Sequence, residues 1–196
     1  MKKYILIILG FTLLIPHFIC YFIVSKKKRN IIYEDIIFWS EHKKINDRFV
    51  NLFILLLIKF PELRSVFYYR LGRYLNCFCS WYLPGRKNLF IWTKNIGAGL
   101  YIGHGWGTVI NAKSIGYRCK VYQNVTIGSR NNKEPVIGND VTIAAHAVVL
   151  GGISVGDNTN IGAGAVVIRN INSNTTVIPA KSLIVRENGL RVLREV

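Results

Sequence analysis

Apolar and polar positions follow three rhythms along this 196-residue chain. The first is a nearly unbroken apolar run, Tyr4 to Val24, 21 residues with no formally charged side chain. A helix rising about 1.5 Å per residue crosses a hydrocarbon core of about 30 Å in that length. The run therefore predicts a transmembrane anchor within residues 1–25. Pro16 and His17 sit in its middle and weaken a straight span. A cleaved signal peptide fits less well, because no small-x-small cleavage site is present. An apolar helix lying against the protein itself stays open. The second rhythm runs from residue 31 to about 83, within a helical, membrane-proximal region assigned to residues 26–90. Ile36, Ile37, Trp39, Phe49, Leu52, Phe53, Leu56 and Leu57 recur at three- and four-residue intervals. Pro61 opens a further helix, ELRSVFYYRLGRYL, carrying Arg64, Arg70 and Arg73. That helix either lies on an anionic membrane surface or packs on the next domain with its arginines in water.

The third rhythm starts near Ile91, past the Pro84-Gly85 break, and its period is six. Aliphatic residues fall at Ile96 and Ile102, then, after a one-residue slip, at Val109, Ile115, Val121 and Ile127. A second block runs Ile137, Ile143, Val149, Val155, Ile161 and Val167. Small residues often follow directly, as at Gly97, Gly103, Gly116, Gly128, Gly138, Ala144, Gly156 and Gly162. Neither a helix (period 3.6) nor a plain strand (period 2) repeats every six. Six residues suit one short strand plus a turn, with the aliphatic side chain turned to an axis and the small residue at a corner. Three faces close one coil of a triangular prism, and these positions give about four coils. The domain is expected over residues 91–185, with a C-terminal tail at 186–196. Ser129 to Pro135 is polar and out of phase, so it is expected as an extruded loop.

Composition adds a location. Hydrophobic residues make up 51% of the chain and the formal net charge is +16. Many basic residues lie in the first 95 positions, around the apolar segments, which suits a membrane surface better than nucleic acid. Lys2 and Lys3 precede the apolar run, and Lys26, Lys27, Lys28 and Arg29 follow it. The larger downstream cluster predicts a single-pass protein of the bacterial inner membrane with its bulk in the cytoplasm. Cys20, Cys77, Cys79 and Cys119 match no zinc or disulfide pattern and are expected as reduced, buried thiols; no metal is expected.

GLYIGHGWGTVI (Gly99 to Ile110), VYQNVTIGS (Val121 to Ser129) and VIGNDVTIAAHAVVLGGISVGDNTNIGAGAVV (Val136 to Val167) resemble the hexapeptide-repeat acyltransferases, in particular the serine O-acetyltransferases and the sugar O-acetyltransferases similar to them. Phe60-Pro61-Glu62-Leu63-Arg64 and Phe67-Tyr68-Tyr69-Arg70 look like that family's helical lead-in. The resemblance implies a left-handed parallel β-helix, assembled as a homotrimer with sites between neighbouring prisms. It also implies acetyl-CoA as acyl donor, a hydroxyl acceptor and a histidine base. By the same resemblance Gly128 and Ala145 fall where the pantetheine arm is held. Gly162 and Gly164 open the next corners, and Lys181 and Arg186 are candidates for the CoA phosphates.

Acetyl transfer from a thioester to a hydroxyl needs a base for the hydroxyl proton and a donor for the oxyanion. Of four histidines, His104 stands between Gly103 and Gly105, small neighbours that leave its ring uncovered. It is the candidate general base, with Glu134 as a weaker catalytic candidate that either orients His104 or contacts the acceptor. The chain departs from the serine enzymes at three places. Gly103 stands for the aspartate before the histidine, Leu89 for an acid one coil earlier, and Glu134 for a second histidine. A serine acceptor brings an ammonium group that wants a carboxylate. The sequence therefore favours a sugar hydroxyl, in surface-polysaccharide assembly, over serine. A catalytically silent trimeric scaffold is the third reading.

Overall fold

The computed structural model describes residues 2–181 and 183–195. The apolar N-terminal run breaks where proline enters it. Helix α1 (Lys2–Leu13) stops at Leu14, and α2 (Ile15–Ile23) restarts with Pro16 in its first turn. The two halves are bent by 58°, and no single described helix is long and apolar enough to cross a membrane. The straight helix expected within residues 1–25 is thus two bent halves. Proline at the second helical position lacks the N–H that would continue the first helix and is tolerated at the start of the next.

Four more helices follow: α3 (Lys26–His42), α4 (Phe49–Lys59), α5 (Pro61–Leu71) and α6 (Arg73–Ser80). Helix α4 is apolar all round, and Leu52 to Leu57 are buried without a break. It packs against α1, α3 and α5. Gly10 makes the α1 contact possible, since a Cβ there would fall 2.4 Å from Ile58 Cδ1. Three of the four thiols are buried, while Cys77 is exposed, and Cys20 and Cys79 approach to 3.6 Å between α2 and α6.

Helix α5 matches neither packing expected for it. It packs on the prism, but Arg64 and Arg70 are buried. Arg64 donates to the carbonyls of Leu57, Ile58 and Pro84, which satisfies the end of α4. Arg70 pairs with buried Asp35 of α3 at 2.9 Å and donates to the Ile96 and Gly97 carbonyls, each at 2.7 Å. The other face of the Asp35 carboxylate accepts the Gly99 and Leu100 amides at 2.7 and 3.0 Å. Two helices are thus stapled to the first coil.

The prism has three parallel sheets. The first contains β1 (Leu89–Ile91), β3 (Thr108–Ile110), β6 (Thr126–Gly128), β9 (Val148–Leu150) and β12 (Val166–Val167). The second contains β4 (Ser114–Ile115), β7 (Val136–Ile137) and β10 (Ser154–Val155). The third contains β2 (Tyr101–Gly103), β5 (Lys120–Tyr122), β8 (Thr142–Ile143), β11 (Asn160–Ile161) and β13 (Thr176–Val177). Aliphatic residues stack in register, for example Ile102 on Val121, Val121 on Ile143, and Ile143 on Ile161. Burying one such side chain contributes roughly 1.5–3 kcal/mol.

One expected ladder position is corrected. Ile110, fully buried, stacks on Ile127, whereas Val109 is partly exposed and opposes Thr126. The corner after Ile102 therefore holds two extra residues, not one. In the first and third sheets a second inward position lies two residues before the ladder residue, filled by Leu100, Thr108, Cys119, Val125, Val141, Ala147, Thr159 and Ala165. One residue further back the backbone is left-handed, at Gly99, Gly107, Arg118, Asn124, Asp140, His146, Asn158, Gly164 and Asn174. Asparagine, aspartate and histidine tolerate that region better than most side chains, which accounts for His146 structurally. Beyond the prism, β14 (Leu183–Glu187) and β15 (Leu190–Glu195) form a hairpin across the expected tail boundary at residue 185. Its Asn188-Gly189 turn has φ of +50° and +82°, a two-residue hairpin signal that the repeat reading passed over.

His17 does structural work in α2. Its ring is fully buried, with Nε2 2.9 Å from Tyr68 Oη and Nδ1 3.0 Å from Tyr82 Oη. Burial, with help from Arg64, lowers its pKa to about 4. An unfolded chain titrates it near 6.5, so stability is full above that pH and falls as the pH drops towards 4. Wild type is expected to lose about 3 kcal/mol more than His17→Gln between pH 7 and 4, read by urea unfolding. Parallel pH profiles would contradict this assignment.

Candidate functional site

The two-residue enlargement of the first corner displays His104. It links β2 of the third sheet to β3 of the first, through His104, Gly105, Trp106 and Gly107. His104 has φ +63° and its side chain is exposed. Gly105 and Gly107 are also left-handed, at +55° and +58°. Such a run of positive φ is costly without glycine, and here it turns the imidazole outward.

The surroundings explain why the expected acids are absent. A Cβ on Gly103 would lie 2.5 Å from Tyr122 Cδ1, so the tyrosine ring occupies the space an aspartate would need. A carboxylate does flank the corner, but from α5. A Cβ on Gly105 would fall 3.2 Å from Glu62 Cγ and 3.5 Å from Leu89 Cδ2. Glu62 is buried, and its Oε1 accepts Nε and Nη2 of Arg86 at 2.8 and 2.6 Å. The Arg86 guanidinium lies 4.4 Å from the centre of the Trp106 ring, which is 55% exposed. Glu62, Arg86, Trp106 and Tyr122 were not singled out from the sequence. Their proximity to His104 is tertiary, although Glu62 sat in the helical lead-in.

The same edge of the prism continues through later coils. The Asn124 amide donates to the Trp106 carbonyl at 2.6 Å, the His146 amide to Gln123 at 3.1 Å, and the Gly164 amide to Ala145 at 2.9 Å. His104, Ala145, Gly162 and Gly164 therefore share one edge. Gly164 is open, with nothing within 4 Å of where a Cβ would stand, whereas Gly162 is closed at 2.9 Å by the Val177 carbonyl. Gln123 Oε1 on this edge is buried with no hydrogen-bond partner among the described residues.

Gly128 and Glu134 belong to the next edge, between the first and second sheets. Glu134 is exposed and makes no hydrogen bond to His104 within the chain. The expected extruded loop is a tight hairpin. Arg130 and Lys133 exchange backbone hydrogen bonds at 3.0 and 3.2 Å across Asn131 and Asn132, both at positive φ. It folds onto its own prism, since a Cβ on Gly152 would be 2.8 Å from Lys133 Cβ. Lys181 is exposed on the segment leaving the prism, and Arg186 is in β14. Among the described residues, no three His, Cys, Asp or Glu side chains group as metal ligands.

Residues 134–169 match the family described as bacterial transferase hexapeptide (six repeats). A serine acetyltransferase of Synechococcus elongatus is 39% identical over 102 residues, covering 50% of this chain and 42% of that protein. One from Staphylococcus aureus is 43% identical over 102 residues, covering 50% and 48%. The chain thus spans under half the length of these curated relatives. Serine acetyltransferase 1 of Entamoeba histolytica, solved in complex with L-cysteine, aligns with a TM-score of 0.62 and 27% identity, over 78% of this chain and 63% of that one. Residues 134–169 thus carry the repeats of that transferase family, and the prism is similar in sequence and architecture to those of serine acetyltransferases.

Proposed function

We propose that the protein is an acetyl-CoA-dependent O-acetyltransferase with His104 as general base and L-serine as the acceptor its relatives favour. The observation that carries this reading is the uncovered His104 imidazole on the same edge as the open corner of Gly164. The base takes the acceptor hydroxyl proton as its oxygen attacks the thioester carbonyl. The tetrahedral intermediate then expels the CoA thiolate, which leaves as thiol once protonated. Backbone amides along the edge suit the pantetheine arm, and Gly128 and Glu134 reach the same space only from a neighbouring prism. A homotrimer supplies that juxtaposition, and Lys181 belongs to the proposed CoA end of the groove.

The serine-acetyltransferase relatives move the preferred acceptor from the sugar hydroxyl to serine. One observation still favours the sugar reading. Tyr122 fills the place of the acid before His104, and the flanking Glu62 is already paired with Arg86, so the corner suits an ammonium group less well. The test is thiol release from acetyl-CoA with L-serine and, separately, with nucleotide sugars. Serine-dependent turnover is expected. Turnover with sugars alone replaces the acceptor, and an oligomer that releases no CoA with either is a scaffold.

A further inference from the structure

The face of α1 and α2 turned away from the protein is itself apolar. Ile8, Leu9, Phe22 and Ile23 are each 63–67% exposed, and Phe11, Leu13, Ile15 and Ile19 are exposed beside them. On α2 the outward residues Ile15, Ile19, Phe22 and Ile23 fall at helical spacing along one side. The opposite side, with Leu14, His17, Cys20, Tyr21 and Val24, is buried. Helix α6 packs beside α2 and adds Tyr74, Phe78 and Trp81, exposed at spacings of four and three. Solvent disfavours an apolar face this large, which marks it as a contact surface.

Charge selects the partner. No aspartate or glutamate precedes Glu34, and Lys26, Lys27, Lys28 and Arg29 follow Phe22 and Ile23 almost at once. They occupy the first turn of α3, which holds no acidic residue. Cations at a helix N-terminus oppose its dipole and call for an anionic counter-surface. A second copy of the same face would bring like charges together. A bilayer with anionic headgroups takes the apolar side chains into its acyl boundary and the lysines into its surface.

We propose that α1 and α2 form an in-plane docking face for an anionic lipid bilayer, lying along it and not crossing it. The buried side of α2 belongs to the protein core, and the 58° bend lets both helices follow a surface. This inference stands apart from the acyl-transfer reading.

The test uses the full chain and vesicles of phosphatidylcholine with or without phosphatidylglycerol. Wild type is expected to float with the anionic vesicles and to be released by about 0.5 M salt, where the Debye length drops to a few Å. Ile19→Glu/Phe22→Glu and Lys26→Glu/Lys27→Glu should each weaken association at least tenfold, with an unchanged thermal midpoint because all four side chains are exposed. Alkaline carbonate should strip the protein from membranes. Absence of vesicle association, or association untouched by both variants, overturns the proposal. Carbonate-resistant retention would mean a spanning segment. Loss of an oligomer in the apolar variant without vesicle binding would mean a face between copies; either result also overturns it.

Discussion

Replacing His104 by asparagine is expected to lower kcat for CoA release by about 10²- to 10⁴-fold, the range that a positioned general base contributes. Asparagine is the informative choice because His104 sits at φ +63°, a region asparagine also tolerates. Alanine would add backbone strain to the chemical loss and blur the reading. The ring makes no side-chain hydrogen bond among the described residues, so its removal should leave the thermal midpoint nearly unchanged. KM for acetyl-CoA should change little, since the donor is assigned to backbone along the edge. Initial rates across both substrates give the split. Wild-type turnover in a folded His104→Asn protein would remove His104 from the reaction, whatever the acceptor.

The largest stability effect is expected at Asp35. Its carboxylate is buried, and that burial pushes its pKa up against Arg70 and two amides, which favour the charged form. Asp35→Ala strands the Arg70 guanidinium, and the Gly99 and Leu100 amides lose their acceptor. Breaking a buried pair in this way costs about 3–5 kcal/mol, a large part of a typical domain's 5–15 kcal/mol. Urea unfolding of Asp35→Ala should show it. The double variant Asp35→Leu/Arg70→Leu should recover part of the loss, because no charge is then left unpaired. A single variant as stable as wild type would mean that the helices and the prism are held by apolar packing alone.

Much of the prism was legible because its ladder uses one chemical type. Ile115 to Ile127 and Ile137 to Val167 are aliphatic every sixth residue, and all stack inward. Val109 misled because it is as aliphatic as its neighbour Ile110, and the extra corner residue that shifts the phase has no signature of its own. The second inward layer was missed because Cys119, Ala147 and Thr159 share no chemistry; only burial unites them, and Thr159 satisfies its hydroxyl on the Gly156 carbonyl. At the site, the Gly-His-Gly corner could be read locally. Glu62 and Arg86 could not, since their approach to that corner depends on how α5 docks. The bend in the apolar N-terminal run was not legible for a similar reason. Apolar length measures what a segment avoids, and His17 and Cys20 avoid water by facing Tyr68, Tyr82 and Cys79.

The enlarged corner at His104 has a consequence for how such a protein changes over time. From Ile102 to Ile110 the chain takes eight residues, and from Ile110 to Ile115 only five, yet Ile110 still stacks on Ile127. Four residues are added between Ile127 and Ile137, and the register there also holds. The ladder absorbs insertions at its edges as a spiral stair absorbs a wider landing, without moving the steps above. Edges can therefore be edited while the scaffold's sequence signature stays constant. Residues 134–169, which carry the family match, lie outside the His104 corner. A match of that kind records the staircase and is silent about the landing at His104.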